Sequence, residues 1–243
     1  MAMRWIYISP HLDDAVLSAG GLIYEQTRAG MEVEIWTFMC GFPPTEELSP
    51  FAQALHKQWG ISAAAEVITA RRAEDVSAAA IVGAKTVHFD FLDCIYRRGK
   101  NGDWLYADVF VPPHEDEVDL PARIAESISA RLSPDDKLVC QLALGSHLDH
   151  VTVRRAVELL GLPILYDVDI PYLFNFPQEF TPKTAGMKGN VQTVSETGLG
   201  LWQDAIAAYA SQMGMLFESP EAMRAKIHQY WAENKGIHLW SIA

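Results

Sequence analysis

The chain has 243 residues, 49% of them hydrophobic, which is enough to build one α/β domain with a sizeable core. Its net charge of −12 repels phosphate backbones and no basic cluster offsets it, so we expect no nucleic-acid partner. The apolar stretches are too short to span a bilayer, the N-terminus lacks a signal-type core and the 3 cysteines are widely spaced, so we expect a cytoplasmic protein without a membrane span.

Strand and helix patterns alternate along the chain. This alternation predicts an α/β fold with a doubly wound, mostly parallel sheet flanked by helices, in one domain spanning residues 1–243. The expected elements are, in chain order, strand Arg4 to Ser9, helix Asp14 to Ala29, strand Glu32 to Met39, helix Ala63 to Val82, strand Thr86 to Phe91, helix Asp119 to Leu132, strand Lys137 to Leu144, helix His150 to Leu160, strand Ile164 to Val168 and two closing helices, Leu199 to Gln212 and Pro220 to Asn234.

Two irregular stretches, 41–55 and 96–118, exceed the usual length of loops. We expect them to form lids or walls that set substrate specificity. A further polar stretch over 176–198, which contains proline and glycine, is predicted to be a connection.

Two clusters of polar residues follow predicted strands. Pro10-His11-Leu12-Asp13-Asp14 comes directly after the first strand, and His147-Leu148-Asp149-His150 follows the strand that ends at Leu144. Ligands of open parallel sheets bind outside the carboxyl ends of the strands. The two motifs are therefore expected to meet in one site.

The residue types in these motifs suit a metal centre. A catalytic zinc site takes three nitrogen or oxygen ligands from the protein and leaves a position for water. His11, Asp14 and His150 would supply those ligands. The sequence therefore predicts metal-dependent hydrolysis.

The remaining polar residues of the motifs suit catalysis. Asp13 is adjacent to a ligand and suits a general base that touches the water activated by the metal. His147 would stabilise a developing oxyanion or protonate a leaving amine, and Asp149 would orient it.

Two other interpretations compete with this one. Asp13, Asp14 or Asp149 could cap the helix that follows, for about 1 kcal/mol, but capping does not require two adjacent aspartates beside a histidine. Two histidines and one carboxylate also form the facial triad of non-haem iron oxygenases, so ligand types alone do not name the metal. The β-α-β opening of the chain favours the hydrolase.

A dinucleotide-binding loop is a further alternative, since the opening is Rossmann-like. Its Gly-x-Gly-x-x-Gly belongs at the strand-to-helix turn, where this chain has 10–14 and no glycine. Gly20 and Gly21 fall too late, and we expect them to let the first helix pack closely on the sheet.

At these motifs the chain resembles the PIG-L family of zinc-dependent deacetylases, also called LmbE-like, whose marks are an early His-Pro-Asp-Asp and a later His-Pro-Asp-His. The resemblance implies a Rossmann-like α/β fold and removal of the acetyl group from N-acetylglucosamine carried on inositol, phosphatidylinositol, malate, oligosaccharide or glycopeptide aglycones. By this resemblance the metal ligands are His11, Asp14 and His150, and the catalytic residues are Asp13, His147 and Asp149.

A third segment adds to the resemblance. Arg71-Arg72-Ala73-Glu74 is similar to the family's Arg-x-x-Glu, in which the arginine lines the substrate site, so the resemblance implies substrate binding by Arg71. The alternative is an exposed ion pair between Arg71 and Glu74, worth roughly a few tenths of a kcal/mol, and both interpretations stay open.

The chain departs from the family pattern at three positions. Leu12 and Leu148 replace the prolines of the motifs, which we expect to be tolerated because proline there shapes the turn and does no chemistry. Gly145 stands where some members have a tyrosine that assists the oxyanion. That donor is then absent or comes from elsewhere.

The expected activity is removal of the N-acetyl group from an N-acetylglucosamine-type conjugate, which releases acetate and a free amine. Zinc is the expected cofactor, with ferrous iron as the alternative; the expected partner is a small amino-sugar conjugate, and a homo-oligomer stays open. We expect the sugar pocket to be lined by Phe91, Asp93, Tyr96, Arg97 and 104–110. The alternatives are a zinc amidase for a larger amide, such as a thiol conjugate, and a non-catalytic metal-binding protein, which would not require Asp13.

Overall fold

In the computed structural model, which describes residues 3–242, helices flank a 7-stranded sheet. The strands are β1 (Arg4–Ser9), β2 (Glu32–Thr37), β3 (Lys85–His88), β4 (Lys137–Gln141), β5 (Ile164–Asp167), β6 (Met187–Thr193) and β7 (Gly236–Ile242). The helices are α1 (Asp14–Arg28), α2 (Pro50–Trp59), α3 (Ala64–Ile81), α4 (Leu120–Ser129), α5 (Leu148–Glu158), α6 (Tyr172–Asn175), α7 (Phe180–Thr184), α8 (Glu196–Ala207), α9 (Ala210–Leu216) and α10 (Pro220–Asn234). The predicted mostly parallel α/β fold is confirmed, and no helix in the described range is long and apolar enough to cross a membrane.

The strand order, β3-β2-β1-β4-β5-β7-β6, places β1 between β2 and β4. β1 runs parallel to both, because Ile8 pairs with Trp36 on one side and with Cys140 on the other. The order of the strands reverses at this point, and sites in open parallel sheets lie at the carboxyl ends of the strands beside such a reversal. Since the two polar motifs follow β1 and β4, the fold brings together segments that are distant in sequence.

Burial explains why β1 reads as an uninterrupted apolar run. Ile6, Tyr7 and Ile8 are each at most 1% exposed, so side chains on both faces of the strand are covered. A parallel strand with helices on both sides has no solvent face and therefore no polar alternation.

The sequence suggested that Gly20 and Gly21 let α1 pack closely on the sheet, but both glycines face α8 and the segment just before it. A Cβ on Gly20 would lie 2.6 Å from the indole of Trp202 in α8, and a Cβ on Gly21 would lie 2.8 Å from Val194. The indole N–H of Trp202 donates to the carbonyl of Val16 at 2.8 Å. The expectation of close packing on the sheet was wrong, because the glycines let α1 approach α8.

The stretch over 41–55 is not wholly irregular, since α2 begins inside it. Ser49 caps this helix by accepting a hydrogen bond from the amide of Ala52, and Pro50 occupies its first turn. Gly60 ends it with a φ of 74°. These are ordinary start and stop signals that the sequence contains, so the helix was predictable from its ends.

The C-terminal part of the chain differs most from the expectations. The predicted connection over 176–198 contains α7 and β6, and β6 pairs antiparallel with β7 along its whole length. The predicted helix Leu199 to Gln212 is two helices, α8 and α9, which meet at Tyr209. β6 is an edge strand whose side chains are mostly exposed, so it lacks the apolar pattern that identifies a strand.

Candidate active site

The three predicted ligands converge on one carboxylate oxygen. Oδ2 of Asp14 lies 3.3 Å from Nδ1 of His11 and 3.4 Å from Nε2 of His150. Ligand atoms that surround one ion at about 2.1 Å in a tetrahedral arrangement are separated by about 3.4 Å. Nε2 of His150 is buried and has no hydrogen-bond partner within residues 3–242. The donor set therefore fits a divalent metal ion.

A buried carboxylate lies behind each of the two histidines. Oδ2 of Asp149 is 3.2 Å from Nε2 of His11, and Oδ1 of Asp169 is 3.1 Å from Nδ1 of His150. Both carboxylates are fully buried. Each fixes the ring orientation and the tautomer of its histidine, so that the opposite nitrogen is free to bind a metal.

The position of Asp149 corrects one expectation. The sequence suggested that its carboxylate orients His147, but the carboxylate contacts His11 and the guanidinium of Arg97. It also accepts a hydrogen bond from the amide of Cys94 at 3.1 Å. Burial acts to raise the pKa of Asp149, but Arg97 and His11 hold that pKa well below its usual range, so the group stays ionised.

Asp13 lies beside the candidate ligands, and it lacks the hydrogen bond that a helix-capping role would require. It is the N-cap residue of α1, yet its side chain makes no cap hydrogen bond. Burial and the neighbouring Asp14 carboxylate raise the pKa of Asp13 to about 7, against the opposing effect of Arg71. A carboxylate with a pKa near neutrality is suited to general base catalysis at physiological pH.

Arg71 supports Asp13 and makes no ion pair with Glu74. Its guanidinium lies 3.5 Å from Oδ2 of Asp13 and 5.2 Å from the ring centre of Trp59. Glu74 instead accepts hydrogen bonds from the amide and the hydroxyl of Ser211, at 2.9 and 2.6 Å. Because Arg71 is only 7% exposed, the exposed ion-pair interpretation does not describe this structure.

His147 is held in one tautomer by the backbone. Its Nδ1 accepts a hydrogen bond from the amide of Asp149 at 3.2 Å, so His147, and not Asp149, caps α5. Burial, His11 and His150 lower the pKa of His147 well below its ordinary value. The neutral ring therefore carries its proton on Nε2 and is a hydrogen-bond donor at neutral pH.

Tyr172 occupies the space beside Gly145. A Cβ on Gly145 would lie 2.6 Å from the ring of Tyr172, and the glycine has a φ of 74°. The ring centre of Tyr172 is 5.1 Å from that of His150 and 6.5 Å from that of His147. Burial and the carboxylates of Asp14 and Asp13 raise the pKa of Tyr172 well above its usual value, so its phenol keeps its proton.

These groups open onto a cavity of about 460 Å³. Asp93 and the last three residues of the predicted range 104–110, which are Asp108, Val109 and Phe110, lie in its lining, whereas 104–107 do not. Three others do not: Phe91 packs against the core, Tyr96 donates or accepts a hydrogen bond with His56, and Arg97 binds Asp149. The sequence analysis missed Asp169 and Tyr172, although Asp169 follows β5 at the same edge of the sheet as both motifs.

Comparison with known proteins decides the family. Residues 6–160, more than half of the chain, match the PIG-L family model, described as GlcNAc-PI de-N-acetylase. The chain belongs to the PIG-L family. The resemblance inferred from the two motifs is thereby confirmed.

Several proteins similar to this PIG-L chain are named as deacetylases. The chain is 27% identical over 190 residues to 2'-N-acetylparomamine deacetylase of Niallia circulans, which covers 69% of this chain and 67% of that protein. A deacetylase of the teicoplanin biosynthesis pathway has a TM-score of 0.84 and 29% identity, over 99% of this chain and 98% of the other. The zinc-inhibited form of a teicoplanin deacetylase has a TM-score of 0.83 and 27% identity, over 98% of this chain and 97% of the other.

Proposed function

We propose that this PIG-L chain is a metal-dependent deacetylase that removes the N-acetyl group from an N-acetylglucosamine-type conjugate. The observation that carries the proposal is the position of Asp13, a buried carboxylate that makes no cap hydrogen bond, contacts Arg71 and borders the cavity beside the proposed ligands His11, Asp14 and His150. A metal-storage or structural site needs the ligands but not this adjacent base. The named relatives, which deacetylate sugar conjugates, support the same reaction.

Zinc is the metal that we propose, with ferrous iron as the alternative. The donor set of two histidine nitrogens and one carboxylate oxygen is common to catalytic sites of both ions. When bound, the ion would polarise the acetamide carbonyl and lower the pKa of a water molecule. A zinc-inhibited form of a teicoplanin deacetylase supports binding of a divalent ion and leaves ferrous iron open as the active metal.

Each remaining residue has a role in proton transfer or charge stabilisation. Asp13 accepts a proton from the attacking water as the new C–O bond forms. The Nε2–H of His147 and the phenol of Tyr172 donate hydrogen bonds to the developing oxyanion. Asp13 then returns its proton to the amide nitrogen as the C–N bond breaks, so the products are acetate and a free amine.

Three further residues act by positioning. Asp149 and Asp169 fix the rings of His11 and His150, and Arg71 holds the carboxylate of Asp13 in place. Arg71 also faces the cavity and is available to a substrate hydroxyl or carbonyl.

We propose that the whole chain works as one domain in the cytoplasm. The C-terminal β7 and β6 extend the same sheet that carries the motifs, so this part completes the domain. The described cysteines, Cys40, Cys94 and Cys140, are free and buried, which suits a reducing compartment.

The decisive experiment measures acetate release from N-acetylglucosamine conjugates by zinc-loaded protein. Asp13→Asn keeps the ligands and the shape of the side chain, so it should bind zinc at one ion per chain and lose turnover. His150→Ala should lose the metal. Normal turnover in Asp13→Asn would exclude the proposed base, and no acetate from any conjugate with either zinc or ferrous iron bound would contradict the deacetylase function.

A further inference from the structure

One wall of the cavity takes no part in the proposed chemistry. Phe51, Leu55 and Trp59 are spaced by four residues along α2, so they form one stripe on its surface. Met215 and Leu216 of α9 line the same cavity, and α2 and α9 contact each other. These five side chains are called the vestibule below.

Four of the vestibule side chains, those of α2 and Leu216, pack against the core on one side and line the cavity on the other. The deepest packing of α2 comes from Ala52, which is fully buried, and from His56, which is 2% exposed. The stripe of α2 is only partly buried, and Met215 is 45% exposed. Apolar side chains left open to solvent inside a concave site mark a place where an apolar ligand is covered.

The vestibule is continuous with the catalytic residues. The ring of Trp59 packs on the guanidinium of Arg71, which in turn contacts Asp13. A substrate whose acetamide reaches Asp13 therefore places its remaining part against Trp59 and its neighbours.

The charge of the cavity excludes anionic ligands. Its lining holds the carboxylates Asp13, Asp14, Asp93 and Asp108, and among the described lining residues the single guanidinium is that of Arg71. The charge of Arg71 is offset by the carboxylate of Asp13, which lies 3.5 Å from its guanidinium. Even with a divalent ion present, the carboxylates outnumber the positive charges, so a phosphate or carboxylate on the substrate would be repelled.

Both walls of the vestibule are fixed by buried hydrogen bonds. On the α2 side, Nε2 of His56 lies 2.6 Å from the hydroxyl of Tyr96. On the α9 side, Glu74 binds the backbone amide and the hydroxyl of Ser211. A preformed apolar surface binds its ligand without the cost of ordering loops.

We propose that the vestibule binds the aglycone of the substrate and that this aglycone is large, uncharged and predominantly apolar. The inference rests on the proposed deacetylation, because it assigns the part of the substrate that carries the N-acetyl sugar. Phosphorylated lipid headgroups, malate and other anionic aglycones are thereby excluded as substrates of this chain.

The test uses N-acetylglucosamine glycosides with methyl, butyl, hexyl and octyl aglycones, and N-acetylglucosamine 1-phosphate as the anionic probe. The value of kcat/KM should rise about three- to fourfold for each buried methylene and level off near the length of the stripe, about 12 Å. Leu216→Ser should flatten this dependence on chain length. Val191→Ser, on the exposed strand β6, is the matched control and should leave it unchanged.

A measurement of binding without turnover separates this inference from the proposed function. The same glycosides are titrated calorimetrically into zinc-loaded Asp13→Asn, where affinity should rise with chain length. Acetate release from the methyl glycoside with no effect of chain length on rate or affinity overturns the aglycone inference and leaves the deacetylase. Affinity that rises with chain length, without acetate release from any glycoside, overturns the deacetylase function and leaves the apolar binding surface.

Two further outcomes would overturn the inference. A preference for the 1-phosphate would show that the acidic lining does not exclude anions. A dimer in sedimentation velocity that Met215→Asp dissociates, together with a flat dependence on chain length, would show that a second copy covers the vestibule.

Discussion

Asp149 and His11 belong to different motifs, yet the carboxylate of the one orients the imidazole of the other at 3.2 Å. The second motif therefore supplies a proposed ligand, His150, and also the residue that sets the tautomer of His11, a proposed ligand in the first motif. This contact makes the two motifs a single unit, because neither histidine is positioned by its own segment alone.

The role of Asp149 can be tested by metal affinity. Asp149→Asn should weaken zinc binding about 10- to 100-fold in a competition titration with a chelator, since the carboxylate that orients His11 is lost. Asp204→Asn changes an exposed carboxylate that pairs with Arg224, so it serves as the control. Unchanged affinity in Asp149→Asn would show that the contact with His11 does not position the ligand.

Tyr172 should contribute to the rate and not to metal binding. Tyr172→Phe removes only the phenol that we assign to the oxyanion, so kcat should fall about 100-fold while KM and zinc content change little. Steady-state kinetics with metal analysis on the same samples measures both. A rise in KM with unchanged kcat would instead make Tyr172 a ground-state binding residue.

Gly145 should be the glycine least tolerant of a side chain near the site. Gly145→Ala imposes a positive φ on alanine and drives its Cβ into the rings of Tyr172 and Phe176, whereas Gly161→Ala imposes a similar φ where the space is open. Gly161→Ala should cost about 1–2 kcal/mol of unfolding free energy, and Gly145→Ala should cost roughly 1–3 kcal/mol more. Urea denaturation compares the two, and equal losses would contradict the predicted clash.

Asp136 should stabilise the amino end of the sheet in a pH-dependent way. It accepts hydrogen bonds from Arg4 at 2.6 Å and from the amide of Ser133 at 2.7 Å. Burial acts to raise the pKa of Asp136, but these hydrogen bonds outweigh it and the pKa is lowered. A carboxylate with a depressed pKa in the folded state stabilises the fold above its unfolded pKa of about 3.9, and that contribution is lost as pH falls through the folded value.

The corresponding variant is Asp136→Asn. At pH 7 it should lower the unfolding free energy by about 1–2 kcal/mol, and the difference from the wild type should shrink below about pH 4. Denaturation curves at several pH values measure this. A difference that stays constant from pH 7 to pH 3 would show that the ionised carboxylate is not responsible.

The candidate ligands could be proposed from the sequence because their signals are local. His11, Asp14 and His150 each follow an apolar run that reads as a strand, and parallel strands present their carboxyl ends at one edge of the sheet. The alternation of strand and helix patterns predicted the central strands of the sheet, because these patterns are also local signals. Neither inference needs the distances between side chains.

The supporting residues could not be predicted, because their contacts depend on how the loops are placed in space. Tyr172 and Arg97 lie on segments whose sequence shows no metal-binding or catalytic pattern, and Asp169, although it follows a strand, has no histidine beside it in sequence; only the folded chain brings these residues to the histidines. The edge strand β6 could not be predicted for a different reason. Its exposed side chains leave no apolar periodicity to read.

The position of β1 between β2 and β4 has a consequence for the assembly of the chain. Asp14 follows β1 and His150 follows β4, so the ligand set exists only after two distant strands have paired. An ion held by both residues would act as a crosslink across a long loop and would bind the native state but not the unfolded one. Metal occupancy would then report that folding is complete. A nascent chain that ends before β4 would contain His11 and Asp14 but not His150, and would therefore lack a complete metal site.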